Sequence, residues 1–440
     1  MWRDLERVES GFHTSPSPRL GGSRSLDPGH SRPARTSQLS VGLIVELILV
    51  GSLLASCGPD AGEDRGEPAE NGITYDIVEE LRIDGYEHNL VPIDTTIRVA
   101  VAENGMIAIA QLQTSNVLFF SETGEALGSI GRDGEGPGEF RTAWRLGWIA
   151  DTLYVYDFSL RRFTLIDPDL QYVRYIYVPN GARPGPEMAG RLPEFGIVYG
   201  GALYADGSVY GQFAGTRNAV ANADYDPQKT TYGRVKEDGT IVSYFQFSSG
   251  ATEIIEVPGG GRILGNILPS PVRPILRLSA DGIRMAHLNV AMEGPDAGTF
   301  EIKMEDVFTG VLYVRRYPFD VVPITGAVRD SILDIAVENY PPEIGQALRR
   351  GATFPPMLPP VVGMVGGRDN TLWIRMHDTA EGRPYRILDP SGEPVGTLTL
   401  PRNSRIAAAD LRQIWVIEID ELDVESVVRY RLQIASKDAT

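Results

Sequence analysis

Six times the chain sets a run of small or apolar residues before a tight turn and a second apolar run after it, a recurrence that few folds can accommodate. The copies are VAVAENGMIAIA at 99–110, LGWIADTLYVYD at 146–157, GGALYADGSVYG at 200–211, LRLSADGIRMAHL at 276–288, GMVGGRDNTLWIR at 363–375 and RIAAADLRQIWVI at 405–417. A supersecondary unit that returns along a chain is the mark of a repeat architecture, and a unit made of a strand, a turn and a strand is that of a ring of blades. The expected fold is therefore all-β, a six-bladed β-propeller.

Each copy makes physical sense as a blade. Asn104-Gly105, Asp206-Gly207 and Asp281-Gly282 supply the positive φ that a two-residue hairpin turn demands. The strand before the turn is rich in Gly, Ala and Val, as expected where innermost strands converge on an axis. The strand after it carries Tyr154, Tyr156, Tyr210, Trp373 and Trp415, which suit the wider space farther out. Outer strands follow, hinged on Thr123-Gly124, Pro168-Asp169, Asp238-Gly239, Thr309-Gly310 and Ser391-Gly392, and their alternation of apolar and polar residues fits half-buried strands.

The sixth unit is one strand short, because only VVRYRLQI at 427–434 follows its hairpin. ITYDIVEELRI at 73–83 is an otherwise orphaned strand, and pairing it with the last blade would close the ring and remove an exposed edge. The spacing of the hairpin turns, at 104, 151, 206, 281 and 369, places extra material in the third and fourth intervals. ATEIIEVPGGGRILGNIL at 251–268 reads as an added hairpin. The second insert, 325–350, reads as helical, with Val328, Ile332, Ile335 and Ala336 as its apolar stripe, Thr325 as its cap and Pro341-Pro342 as its stop. An isolated stripe so short needs a surface to cover, and the propeller face is the expected one.

The N-terminal region supplies an address. VGLIVELILVGSLLASC at 41–57 is an apolar stretch of signal-peptide length that ends in Leu54-Ala55-Ser56-Cys57, with Arg32 and Arg35 upstream. It resembles the lipobox of bacterial lipoproteins, which implies cleavage before Cys57 and lipidation of that residue. Residues 1–40 then form an extension that lies outside the folded part, with translation expected to begin downstream of them; 41–56 form the signal peptide, 57–72 a polar, acidic tether, 73–434 the propeller and 435–440 a tail. The expected place is the bacterial cell envelope, facing the periplasm or the exterior, with the membrane as a partner through the lipid on Cys57.

Charge narrows the ligands. With 58 Asp and Glu against 41 Lys and Arg, the formal net charge is −17, which disfavours nucleic acid and anionic headgroups as partners. Cys57 is the only cysteine, so the ring has neither a disulfide framework nor a cysteine metal site. A monomeric ring is expected.

GRDGEGPGEF at 131–140, between one blade's outer strand and the next blade's inner strand, is similar to the glycine-rich segment of NHL-repeat propellers, and 73–434 as a whole resembles the six-bladed rings found among bacterial lipoproteins. Read alone, Gly134, Gly136 and Gly138 would suggest a phosphate cradle, but no helix follows them and Asp133, Glu135 and Glu139 would repel a phosphate. Some NHL-like propellers are lyases that use histidines and a divalent metal at the axis. That resemblance makes His88, His287 and His377 the candidate ligands, with surface or core histidines as the plainer alternative. Carboxylate chemistry of the calcium-dependent lactonase type would need acids converging from the inner strands, whereas the quoted inner strands offer mostly Gly, Ala, Val and Leu and imply a poorly furnished pore.

The sequence therefore favours a tethered binding or scaffold module without a cofactor, presenting loops to a protein, peptide or carbohydrate. A metal-dependent lyase or hydrolase working at the axis is the alternative. Arg161 and Arg162 in LRRF at 160–163, together with the helical insert, are the candidate binding elements, and a solvated loop tip is the plain reading of the two arginines.

Overall fold

The structure is a computed structural model that describes residues 73–435 except 89, 91–96, 112–113, 218–224, 227–228, 249–253, 259–260, 265–274, 280, 293–296 and 339. The lipobox, Cys57 and the tether lie outside the described residues.

Among the described residues the strands form sheets of eight, five, four, four, four and two strands in a propeller-like arrangement, whose four-stranded antiparallel repeats are the blades. Strand β1 is Ile73–Ile83 and belongs, as shown below, to the last unit. Blade one is β2 (Arg98–Val101), β3 (Ile107–Gln111), β4 (Asn116–Phe120) and β5 (Ala126–Ile130); blade two is β6 (Ala143–Ile149), β7 (Thr152–Asp157), β8 (Arg162–Ile166) and β9 (Tyr172–Tyr177). A short edge piece, β10 (Arg183–Pro184), joins blade three, which is β11 (Glu194–Leu203), β12 (Val209–Arg217), β13 (Lys229–Val235) and β14 (Thr240–Ser248). An added hairpin, β15 (Ile254–Val257) and β16 (Gly261–Leu264), precedes blade four, which is β17 (Ile275–Leu278), β18 (Arg284–Met292), β19 (Ala297–Asp306) and β20 (Gly310–Asp320). Helices α1 (Gly326–Val337) and α2 (Pro342–Gly351) then lead to blade five, β21 (Val361–Gly366), β22 (Leu372–Met376), β23 (Arg383–Leu388) and β24 (Pro394–Leu400). Blade six is β25 (Ser404–Ala409), β26 (Gln413–Ile419) and β27 (Glu425–Ile434), completed by β1.

Closure follows the expected route. β1 runs antiparallel to β27, from Tyr75 opposite Ile434 to Ile83 opposite Val427, and its first residues also pair in parallel with β24 of blade five. The N-terminal strand thus joins the last two blades into one eight-stranded sheet.

The turns behave as their residues require. Gly105, Gly207 and Gly282 take φ of 85°, 79° and 70°, the left-handed region that glycine enters without a Cβ penalty. Inner-strand glycines have a second use. A Cβ on Gly147 would lie 2.4 Å from the hydroxyl oxygen of Tyr154, so the missing side chain lets that tyrosine, from the second strand, lean across the first.

Apolar clusters fill the seams between blades. Phe119, Phe140 and Val155 close the seam between blades one and two, Phe163, Phe195 and Phe213 that between two and three, Leu288, Ile302 and Ile374 that between four and five, and Trp373, Ile387 and Val428 that between five and six. Ile83, Ile109 and Trp415 close six against one. The described part of the seam between three and four is more polar: Arg234 of β13 reaches the Val307 carbonyl at 2.8 Å, and His287 of β18 meets the Phe245 ring edge-on at 4.9 Å.

The helical insert forms, with a correction to its partner. Thr325 caps α1, its hydroxyl accepting the Val328 N–H, and Pro342 opens α2. The buried residues of α1 are Ile332, Leu333 and Ala336, while Val328 and Ile335 are half-buried, so the stripe is rotated towards Leu333. It is the other insert that receives the pair: α2 packs on β15, with Gly351 against Ile255. The two insertions therefore meet through α2 and β15.

Candidate functional site

Strand direction places the loops. Within a four-stranded antiparallel unit the outer strand ends where the next inner strand begins. All connections between blades, and all turns between second and third strands, therefore share one face, and the inner hairpins share the other. The start of every inner strand, both inserts and the 131–140 loop lie on that connecting face.

Four inner strands carry an arginine: Arg98 opens β2, Arg145 is the third residue of β6 and Arg405 the second of β25, while Arg277, the next-to-last residue of β17, lies nearer the inner hairpin. Arg98 feels the charge of Arg405 and of Arg145, and Arg277 feels that of Arg145. These residues belong to blades six, one, two and four. Blades two and four are not neighbours, so their arginines can meet only across the central axis. Arg145 and Arg277 are exposed and, among the described residues, bond to no side chain or carbonyl; Arg98 and Arg405 are half-buried. Burial first, and then the like charges of Arg405 and Arg145, push Arg98 down to about 10, and burial likewise lowers Arg405; Arg277, although its surface is open to solvent, is lowered by the protein that surrounds it and by the like charge of Arg145. Arg98, at about 10, stays cationic at neutral pH.

Two of them are anchored. Arg98 Nε donates to the Trp144 carbonyl at 3.2 Å with its guanidinium 5.0 Å from the Trp144 ring centre, and Arg405 donates to the Ile97 carbonyl at 2.9 Å and pairs with buried Glu425 at 3.4 Å. Glu425, which also accepts the Ile97 N–H at 2.6 Å, is the one carboxylate among the described residues that bears on Arg98 and Arg405. Burial raises its pKa against the pull of Arg405. One acid, beside Arg98 and Arg405, accompanies four guanidinium groups, an excess of positive charge inside a chain of net charge −17. A cluster with such an excess of positive charge can attract an anion.

The poorly furnished pore expected from the sequence is thus corrected. Arg98 and Arg145 stand one residue before the apolar runs of the first and second repeats, and Arg277 and Arg405 lie within or at the edge of theirs. An arginine recurring just ahead of the inner hairpin in four of six repeats was the available signal.

The singled-out residues are placed as follows. His88 packs edge-on against Phe120 at 4.9 Å, His287 lies 2.9 Å from Glu305 in the seam between blades three and four, and His377 is half-buried after β22, with its pKa lowered by burial. Among the described residues no three His, Cys, Asp or Glu side chains lie where they could hold a metal ion, so these histidines do not fit a shared metal. Arg161 donates to the carbonyls of Pro179 and Val198, the latter at 2.8 Å. Arg162 is buried, donates to the carbonyls of Glu135, Gly136 and Glu139, and stacks 3.7 Å over Tyr175. The two residues expected at a binding tip are instead braces, and Arg162 fastens the glycine-rich loop. In that loop the Glu139 carboxylate accepts the Gly136 N–H at 2.8 Å, so the protein's own acid occupies an amide that a phosphate would need.

No described helix is long and apolar enough to cross a membrane. No protein-family model and no curated protein sequence matches the chain. Among solved structures it is similar to a member of the DUF4221 family from Bacteroides vulgatus, with a TM-score of 0.43 and 11% identity over 82% of this chain and 99% of the other. It is also similar to virginiamycin B lyase from Staphylococcus aureus, with a TM-score of 0.32 and 13% identity over 82% and 90%, and to the calcium-binding protein regucalcin from Agrobacterium tumefaciens, with 0.32 and 11% over 77% and 89%. These likenesses carry no functional assignment.

Proposed function

We propose that this protein is an exported, lipid-anchored binding module that takes an anionic small molecule at the connecting-face mouth of its central channel. The observation that carries the reading is the convergence of Arg98, Arg145, Arg277 and Arg405 on the axis with Glu425 as the acid beside them. Guanidinium groups suit the role because they remain charged when partly desolvated and grip carboxylate oxygens two at a time. The export part rests on the lipobox-like run ending at Cys57, which would hold the ring near a membrane through a short polar tether.

Thermal shift tests the site. Carboxylate, sulfate and phosphate anions should raise the melting temperature of the full chain while neutral sugars leave it unchanged. The Arg98→Gln/Arg145→Gln double variant should melt as a folded protein and lose the anion response. An equal anion response in wild type and double variant would remove the channel from the account. Mass spectrometry of membrane-extracted protein checks the anchor, since an unmodified Cys57 in the mature chain contradicts it.

A further inference from the structure

The arginines stand at two depths. Counted back from the hairpin turn of its own blade, Arg98 and Arg145 lie six residues before Asn104 and Asp151, and Arg277 lies four residues before Asp281. Two residues of extended strand span about 7 Å, so Arg277 sits one such step farther down the channel than Arg98 and Arg145. The deeper level is furnished for hydrogen bonding as well as charge. Tyr154 leans over Gly147, four residues before Asp151, which puts its phenol at the level of Arg277, and the two groups interact electrostatically. Burial raises the Tyr154 pKa, so its hydroxyl keeps the proton it would donate. Arg145 feels the charge of Arg98 at its own level and of Arg277 below, and so links the two levels.

We infer that the channel recognises an elongated dianion, with two carboxylates about 7 Å apart lying along the axis. One carboxylate is held between Arg98 and Arg145 at the mouth, and the other between Arg277 and the Tyr154 hydroxyl below. The inference rests on the anion-binding reading above and specifies its ligand class. A single phosphate or sulfate concentrates its charge at one centre and can serve only one level. A dicarboxylate delivers one planar group to each guanidinium level, in the bidentate geometry that arginine favours, and relieves the like-charge contact at both.

Isothermal titration of the full chain with acetate and with straight-chain dicarboxylates from malonate to suberate, alongside inorganic phosphate, tests this. Affinity should climb at least tenfold from acetate to a diacid near adipate in length and decline for shorter and longer members. Arg277→Gln should flatten the length profile by lowering the affinity for the diacid near adipate towards that for acetate; Arg277→Lys should restore part of the profile, and circular dichroism confirms that both variants fold. A profile that is flat in wild type, with acetate or phosphate bound as tightly as any diacid, overturns the two-level site while the anion-binding reading survives. If wild type binds none of these anions, both are overturned.

Discussion

At the scale of single residues, Glu305 gives the sharpest handle on the polar seam between blades three and four. Its carboxylate faces His287 Nε2 at 2.9 Å and Lys303, and the His287 imidazole is the main cause that holds its pKa down to about 2. A carboxylate whose folded value lies below its unfolded value of about 4.3 stabilises the fold above that value and loses the contribution as pH falls towards the folded one. We therefore predict that Glu305→Gln melts below wild type at neutral pH and that the gap narrows steadily between about pH 4.5 and pH 2. A gap that stays constant across that window, measured by thermal denaturation, would mean that the pair contributes nothing through its charge. Single residues are also where sequence reading failed. Arg162 and Arg277 are the same residue type on adjoining kinds of strand. One is spent on three carbonyls and the other left bare in the channel, and only the third dimension separates them. Turn glycines were legible because φ is a local demand; channel residues were not, because the channel exists only once six distant strands meet.

Among the elements, the two insertions form the unit least tied to the ring's repeat. Hairpin and helices were each visible in the sequence, one as an apolar run about a Gly-Gly-Gly turn and the other as helical spacing, but nothing local said that they would pack together. Leu333, Ala347 and Leu348 are buried in the helices, and half-buried Ile255 of the hairpin lies against Gly351 at the end of α2. If they form one cooperative unit, Leu348→Ala should cost about 2–4 kcal/mol of local stability by leaving a cavity. Amide hydrogen exchange should then quicken together in α1, α2, β15 and β16 while β3 and β7 in blades one and two keep their protection. Faster exchange confined to α2 would show that the hairpin stands without the helices.

The whole molecule depends on how its ends meet. A ring of stacked blades has no free edge only if the last unit is complete, and here the missing strand comes from the other end of the domain. β1 contributes hydrogen bonds along most of β27, adds a parallel seam to β24, and carries Ile83, which is fully buried, with Leu81 into the cluster between blades six and one and Tyr75 with Ile77 into that between five and six. Burial of one large aliphatic side chain is worth about 1.5–3 kcal/mol, so removing this strand takes away a sum comparable with the 5–15 kcal/mol by which a whole domain is usually stable. It would also leave the edge of β27 open to pairing with another chain. Deletion of 73–83 should therefore abolish the single cooperative melt and promote aggregation, and a synthetic peptide of those eleven residues added during refolding should restore a sharp transition by occupying the same edge. A truncated chain that melts as sharply and at the same temperature as the intact one would show that the ring holds without its clasp.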